Sequence, residues 1–178
     1  GDTATDITAE SLNITAASVG SSTDSLDTDV ANLTLSVTGA AYVNEANALT
    51  VTNANTGLFS LTGAGATVLS QVTATGNVTV SLSAGDLTVG SVSATGQSVT
   101  LSTVAAVVDG DTATDITAES LNITAASVGG STDSLDTDVA NVTLSITGST
   151  YVNEANALAV SASTVGCLFS LTTAGNTS

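Results

Sequence analysis

GDTATDITAESLNITAASVG occupies Gly1–Gly20 and returns letter for letter at Gly110–Gly129. STDSLDTDVAN (Ser22–Asn32) returns as Ser131–Asn141, and YVNEANAL (Tyr42–Leu49) as Tyr151–Leu158, with the same displacement each time. The displacement grows by one where GLFSL at Gly57–Leu61 becomes GCLFSL at Gly166–Leu171. An internal repeat constrains a fold more tightly than composition does, because stacked copies bury their apolar faces against one another. The 178 residues divide into a first unit, 1–109, and an incomplete second unit, 110–178, of one continuous array. Both ends cut through the pattern and the chain opens at Gly1 rather than methionine, as expected of a processed or excerpted piece of a longer array.

A shorter period lies inside the long one. LNIT at Leu12, LTLSV at Leu33, VTVSL at Val78, VTLS at Val99 and LNIT at Leu121 mark it. The long unit then holds about five coils of about 20–22 residues, within the range of solenoid repeats. The stretch from Leu49 to Val78 does not fit that spacing. One coil can be followed along Gly76–Thr103. Val78, Val80 and Leu82 alternate with Thr79, Ser81 and Ser83, the period of a strand buried on one side. Ala84-Gly85-Asp86 turns the chain, Leu87 and Val89 resume the alternation, and Gly90-Ser91 bends it. Val92 and Ala94 follow before a turn at Thr95-Gly96-Gln97. Three short strands per coil predict a parallel β-solenoid in which each strand stacks on its equivalent about 4.8 Å along the axis.

Composition agrees. Val and Thr are β-branched and suit a pleated surface. Proline is absent, so every strand residue retains the N–H that a ladder needs. The competing architecture is a tandem β-sandwich, since the long unit also matches one immunoglobulin-like domain of about 100 residues. The subperiod, the 2% aromatic content and the lack of any Trp oppose it. Differences between the copies fit a solenoid: Leu33 becomes Val142 and Val37 becomes Ile146 at inward positions, while Ser21 becomes Gly130 and Ala41 becomes Thr150 at turn-like ones.

The phrases NVTVSLSAGDLTVGSVSATGQSVTLS and ITAESLNITAASVG resemble the repeats of filamentous-haemagglutinin-type exoproteins, the large repetitive adhesins of bacterial surfaces. The resemblance covers nearly the whole chain and rests on composition and rhythm. It implies a right-handed parallel β-helix and an extracellular, cell-surface location. It also implies a shaft-like, adhesive role but identifies no receptor; the partners to expect are neighbouring repeats or other copies of the chain, and host-cell or surface glycans.

Charge and residue content remove several functions. Lys, Arg and His are all missing and the net charge is −16. Nucleic-acid binding needs cations to neutralise phosphates, so no nucleic acid is expected. Anionic membrane surfaces repel such a chain, and no apolar run approaches the ~20 residues of a membrane span. Without His there is no Ser-His-Asp or Cys-His arrangement. Lyases of β-helical fold resemble sites where Arg or Lys takes a proton beside calcium, and neither base exists here. Two carboxylates can hydrolyse a glycoside, but Asp86, Asp109 and Asp111 fall in turns with no cleft around them. The expectation is a protein that is not an enzyme and requires no cofactor.

The acids are the remaining candidates for ligand chemistry. Asp24, Asp27 and Asp29 recur as Asp133, Asp136 and Asp138; Asp109, Asp111 and Asp115 form a second group, whose earlier copy keeps Asp2 and Asp6. One coil of separation stacks Asp2 on Asp24, Asp6 on Asp27, Asp111 on Asp133 and Asp115 on Asp136. Stacked carboxylates repel, and calcium or another hard cation would bridge them. The plainer reading is a solvated acidic edge that keeps a long rod soluble. Asn-x-Ser/Thr triplets at Asn13, Asn32, Asn77, Asn122, Asn141 and Asn176 are glycan acceptors in a secreted protein; the plainer reading is a composition rich in Asn, Ser and Thr. Tyr42, Tyr151, Phe59 and Phe169 read as plugs in wider coils, and Cys167 as a small buried or turn residue. An ice-binding face would need regular Thr-x-Thr ranks, and the TAT and TVT phrases are too scattered to predict one. Two functions remain: the shaft of a surface adhesin, or building material of a filament, sheath or matrix that associates with copies of itself, for which the acid-free stretch Ala46–Gly85 is the contact.

Overall fold

The computed structural model describes residues 4–178 and contains no helix among them. Its 18 strands join one continuous sheet, and every strand pairing in it is parallel, which makes the chain a β-solenoid of about 8 turns. The coil that the Val/Thr alternation predicts is present: strands span Val78–Leu82 and Leu87–Val89, and Val92 opens the next. Thr95-Gly96-Gln97 does not end that last strand. It runs from Val92 to Thr103, with a register shift between Ala94 and Ser98 against Ile116–Ala125. Gly96, at φ 72°, absorbs the bend while the ladder resumes on both sides.

Inward residues of successive coils lie directly above one another. One column runs Val43, Leu61, Val80, Leu101, Ile123, Leu144, all buried. This column belongs to the first face of the solenoid, formed in part by Ala40–Glu45, Leu58–Gly63 and Val78–Leu82. A second face is built around Thr67–Leu69, Leu87–Val89 and Ala106–Asp109, and a third around Val72–Ala74. Three strands per coil hold only in the middle of the molecule. Leu26–Val37 and Leu135–Ile146 are 12-residue strands that bend round a corner and serve two faces each.

Coil length is not uniform. Ile7 pairs with Thr28, as a regular coil requires. Ala40 pairs with Leu58 and Leu26 with Val43, which are shorter steps along the chain. Val92 pairs with Ile116, a longer one. The expected coil length therefore describes only part of the array, and Leu49–Val78 fails to fit because its coils are short. Corners take up the difference. Gly20 and Gly129, at φ 57° and 56°, open an excursion at the same place in each unit. There Ser21 bonds Asp24, and Gly130 bonds Asp133, out of the ladder.

The two copies of the long repeat do not occupy the same face. From Val43, five coils lead to Leu144, whereas its repeat partner Val152 comes later in the chain, paired with Leu135. Ala41 therefore lies in a column that runs from Val19 through Phe59, Val78, Val99, Leu121 and Val142. Its counterpart Thr150 joins a different one, through Thr67, Leu87, Val107 and Val128. Neither residue is in a turn, contrary to the expectation from their Ala-to-Thr difference. Both are fully buried in strands, because these strands begin earlier than the alternation of Tyr and Val indicates.

Candidate functional site

The acids fall into three settings. On the outer side of the first coils, Asp6 and Asp27 stack as their spacing predicts. The Asp6 N–H donates to the Asp27 carbonyl at 2.8 Å and the Asp27 N–H to Asp6 Oδ2 at 3.1 Å. Repulsion is relieved because the next residue down is an amide: Asn44 Nδ2 donates to Asp27 Oδ1 at 2.6 Å and Thr62 to Asn44 Oδ1 at 2.9 Å. Asn47 holds Asp29 in the same way at 2.8 Å. The second unit repeats both contacts, Asn153 to Asp136 and Asn156 to Asp138, each at 2.7 Å. Asp24 and Asp133 are exposed in the two excursions. Asp2 lies outside the described residues, so its stack on Asp24 does too.

The second setting is the corner carrying Asp109, Asp111 and Asp115. Gly110–Asp115 bulges between Asp109 and Ile116, where the coil above needs only Gly90-Ser91 between Val89 and Val92. Asp111 is exposed and its N–H donates to Asp109 Oδ1 at 2.8 Å. Asp109 and Asp115 are buried, and their second oxygens, Oδ2 and Oδ1, have no hydrogen-bond partner. Burial lifts the Asp109 carboxyl above the usual carboxylate range against the bond from Asp111, and the charges of Asp133, Asp136 and Asp111 add to the rise. Burial pushes Asp115 up to about 8, opposed by the Asp136 N–H and reinforced by Asp109, Asp111 and Asp136. Asp6, its counterpart in the first unit, is exposed, since among the described residues no coil covers it. Among the described residues no three acidic side chains come together as a metal ion requires.

Sequence reasoning passed over the third setting. Glu45 and Glu154 are 1% exposed. Glu154 accepts from Thr137 Oγ1 at 2.8 Å, from the Val139 N–H and from the Asn156 N–H at 3.0 Å; Glu45 does the same with Thr28, Val30 and Asn47. The signal was present: alternation from Ala41 and Val43 puts Glu45 inward. These carboxylates pin strand to corner where the chain changes face.

The other candidates scatter. Asn13, Asn77 and Asn176 are exposed, and Asn32, Asn122 and Asn141 are half-buried. Asn32 and Asn141 donate to the carbonyls of Glu10 and Glu119, and Asn77 accepts from the Ser98 N–H. Phe59 is a buried plug, Tyr42 and Tyr151 are half-buried, and Phe169 is 38% exposed in the last coil. Cys167 is exposed in a bend. Surface indentations include an open groove of about 300 Å³ lined by Thr95, Glu119, Asp138 and Asn156, and two of about 260 Å³. They stand at or below the lower end of the range for small-molecule sites.

One surface is regular. On the first face the outward residues of five successive coils fall into register as Ser60-x-Thr62, Thr79-x-Ser81, Thr100-x-Ser102, Asn122-x-Thr124 and Thr143-x-Ser145. None of the five rows reads Thr-x-Thr; each mixes Thr with Ser or Asn. They are invisible as a Thr-x-Thr phrase because Ser and Asn alternate with Thr, and coils of unequal length bring them into line. Compared with known proteins, the chain matches no family model, no curated protein and no solved structure.

Proposed function

We propose that the chain is a segment of a non-enzymatic structural rod, the shaft of a repetitive surface adhesin working outside the cell. The observation that carries this reading is the unbroken parallel ladder, in which each coil contacts chiefly its neighbours and the inward columns continue through the molecule. Such a body gains length without gaining a pocket, and its stability adds up coil by coil. About 8 turns at ~4.8 Å per turn give a rod of about 40 Å, and further units extend it in proportion. The net charge of −16 favours separate rods over bundles at low ionic strength, which supports a shaft over a self-associating matrix. Partners would then be neighbouring repeats along the axis and glycans at a remote tip.

Electron microscopy and sedimentation of arrays carrying one to four of the long units test this. Single unbranched rods, with length rising linearly with unit number, are expected. Ordered side-by-side bundles at physiological salt would transfer the protein to the filament or matrix class.

A further inference from the structure

The five registered rows on the first face form a grid whose spacing is set by backbone geometry. Rows repeat every ~4.8 Å along the axis, and the two columns are separated by about 6.6 Å, two residues of strand rise. No register shift interrupts the pairings within these rows; the one irregularity between Val92–Thr103 and Ile116–Ala125 lies before Ser98. None of the ten residues carries charge, although the chain holds 16 acids. In the lower four rows, from Thr79 to Ser145, no grid side chain has a hydrogen-bond partner among the described residues. That differs from the acid columns, where Asn side chains consume the outward oxygens. These groups are held by the sheet at fixed intervals, and their bonding capacity is directed to whatever lies outside.

Three occupants fit a neutral, hydroxyl-bearing plane, and size and chemistry separate them. A second copy would bury an area about 24 Å tall and about 13 Å wide, some 300 Å², against the roughly 800 Å² per partner of a stable interface. A sugar chain needs several rings to stack on, and the ring this face presents is Tyr42, half-buried and paired with Ser60 at the upper edge of the grid; none of the ten grid positions is aromatic. Ordered water needs neither large area nor rings. It needs donors and acceptors in a regular array with methyl groups between them, and the grid supplies hydroxyls and Thr methyls at a fixed ~4.8 Å by about 6.6 Å spacing. We propose that the first face, from Ser60 to Ser145, is an ice-binding surface.

The test is slow directional freezing of a dilute solution of the chain, followed by measurement of protein in the ice and in the remaining liquid. The parent chain is expected in the ice fraction at several times the level of Thr100→Tyr, which places a ring at the centre of the grid. Thr73→Lys, on the third face, should behave like the parent, and matching thermal melts show that both variants keep the fold. Expulsion of the parent into the liquid, as for ordinary solutes, overturns the proposal, as does equal retention of Thr100→Tyr. Expulsion from ice combined with retention on crystalline cellulose, or with a dimer that Thr100→Tyr dissolves, reassigns the face to a polysaccharide or to a second copy and equally overturns it.

Discussion

Asp115 is a carboxyl group with no base anywhere in the chain to meet it. Burial opposes its ionisation most, and the neighbouring charges of Asp109, Asp111 and Asp136 oppose it further. With the folded value about 8 against the ordinary carboxyl value of 3.8, the folded state holds a proton that the unfolded state has released. Stability must therefore fall as pH rises between those values and level off above about 8. Ordinary carboxyls titrate below about pH 5.5, so melting midpoints measured from there to about pH 8.5 should decline, and Asp115→Asn should flatten that decline. A parent profile flat over this window would show the group ionised in the fold. Phe59 makes a second residue-scale case. It is fully buried between Ala41 and Val78, and Phe59→Ala should cost about 3–5 kcal/mol by denaturant unfolding.

Strands and corners behave differently as elements. The alternation at Val78–Leu82 and Leu87–Val89 was legible because inward Val and Leu are separated by Thr and Ser in strict period two. Corner lengths were not, since a corner can be as short as Gly90-Ser91 or as long as Gly110–Asp115 without disturbing the stacked strands. The acid candidates were half legible for the same reason. Asp6 over Asp27 and Asp115 over Asp136 follow strand spacing, while the burial of Asp109 and Asp115 depends on a corner and on the coil above. Glu154 shows what a corner requires. Glu154→Ala would strip acceptors from the Val139 and Asn156 N–H groups and the Thr137 hydroxyl, at about 1–3 kcal/mol for each buried donor left unpaired. A thermal melt should show a clear drop in midpoint, smaller for Glu154→Gln, which retains one acceptor oxygen. A loss no greater than for exposed Glu10→Ala would show that Glu154 is not the pin.

At the scale of the molecule, 16 like charges distributed along a rod oppose its compaction. The acids that stack are separated by backbone N–H groups and Asn amides. Raising ionic strength from 0.01 M to 0.15 M shortens the screening length from about 30 Å to about 8 Å, and the melting midpoint should climb. A chelator should leave it where it was; a fall on chelation would mean that a cation is built into the fold. The offset between copy and coil has a further outcome. Because one long unit winds past five whole turns, gain or loss of a unit also rotates whatever follows, as an extra part-thread does to the head of a screw. Copy number would then set both the reach of such a shaft and the direction in which its far end points, so lineages differing by a single duplication would present the same tip to different surroundings.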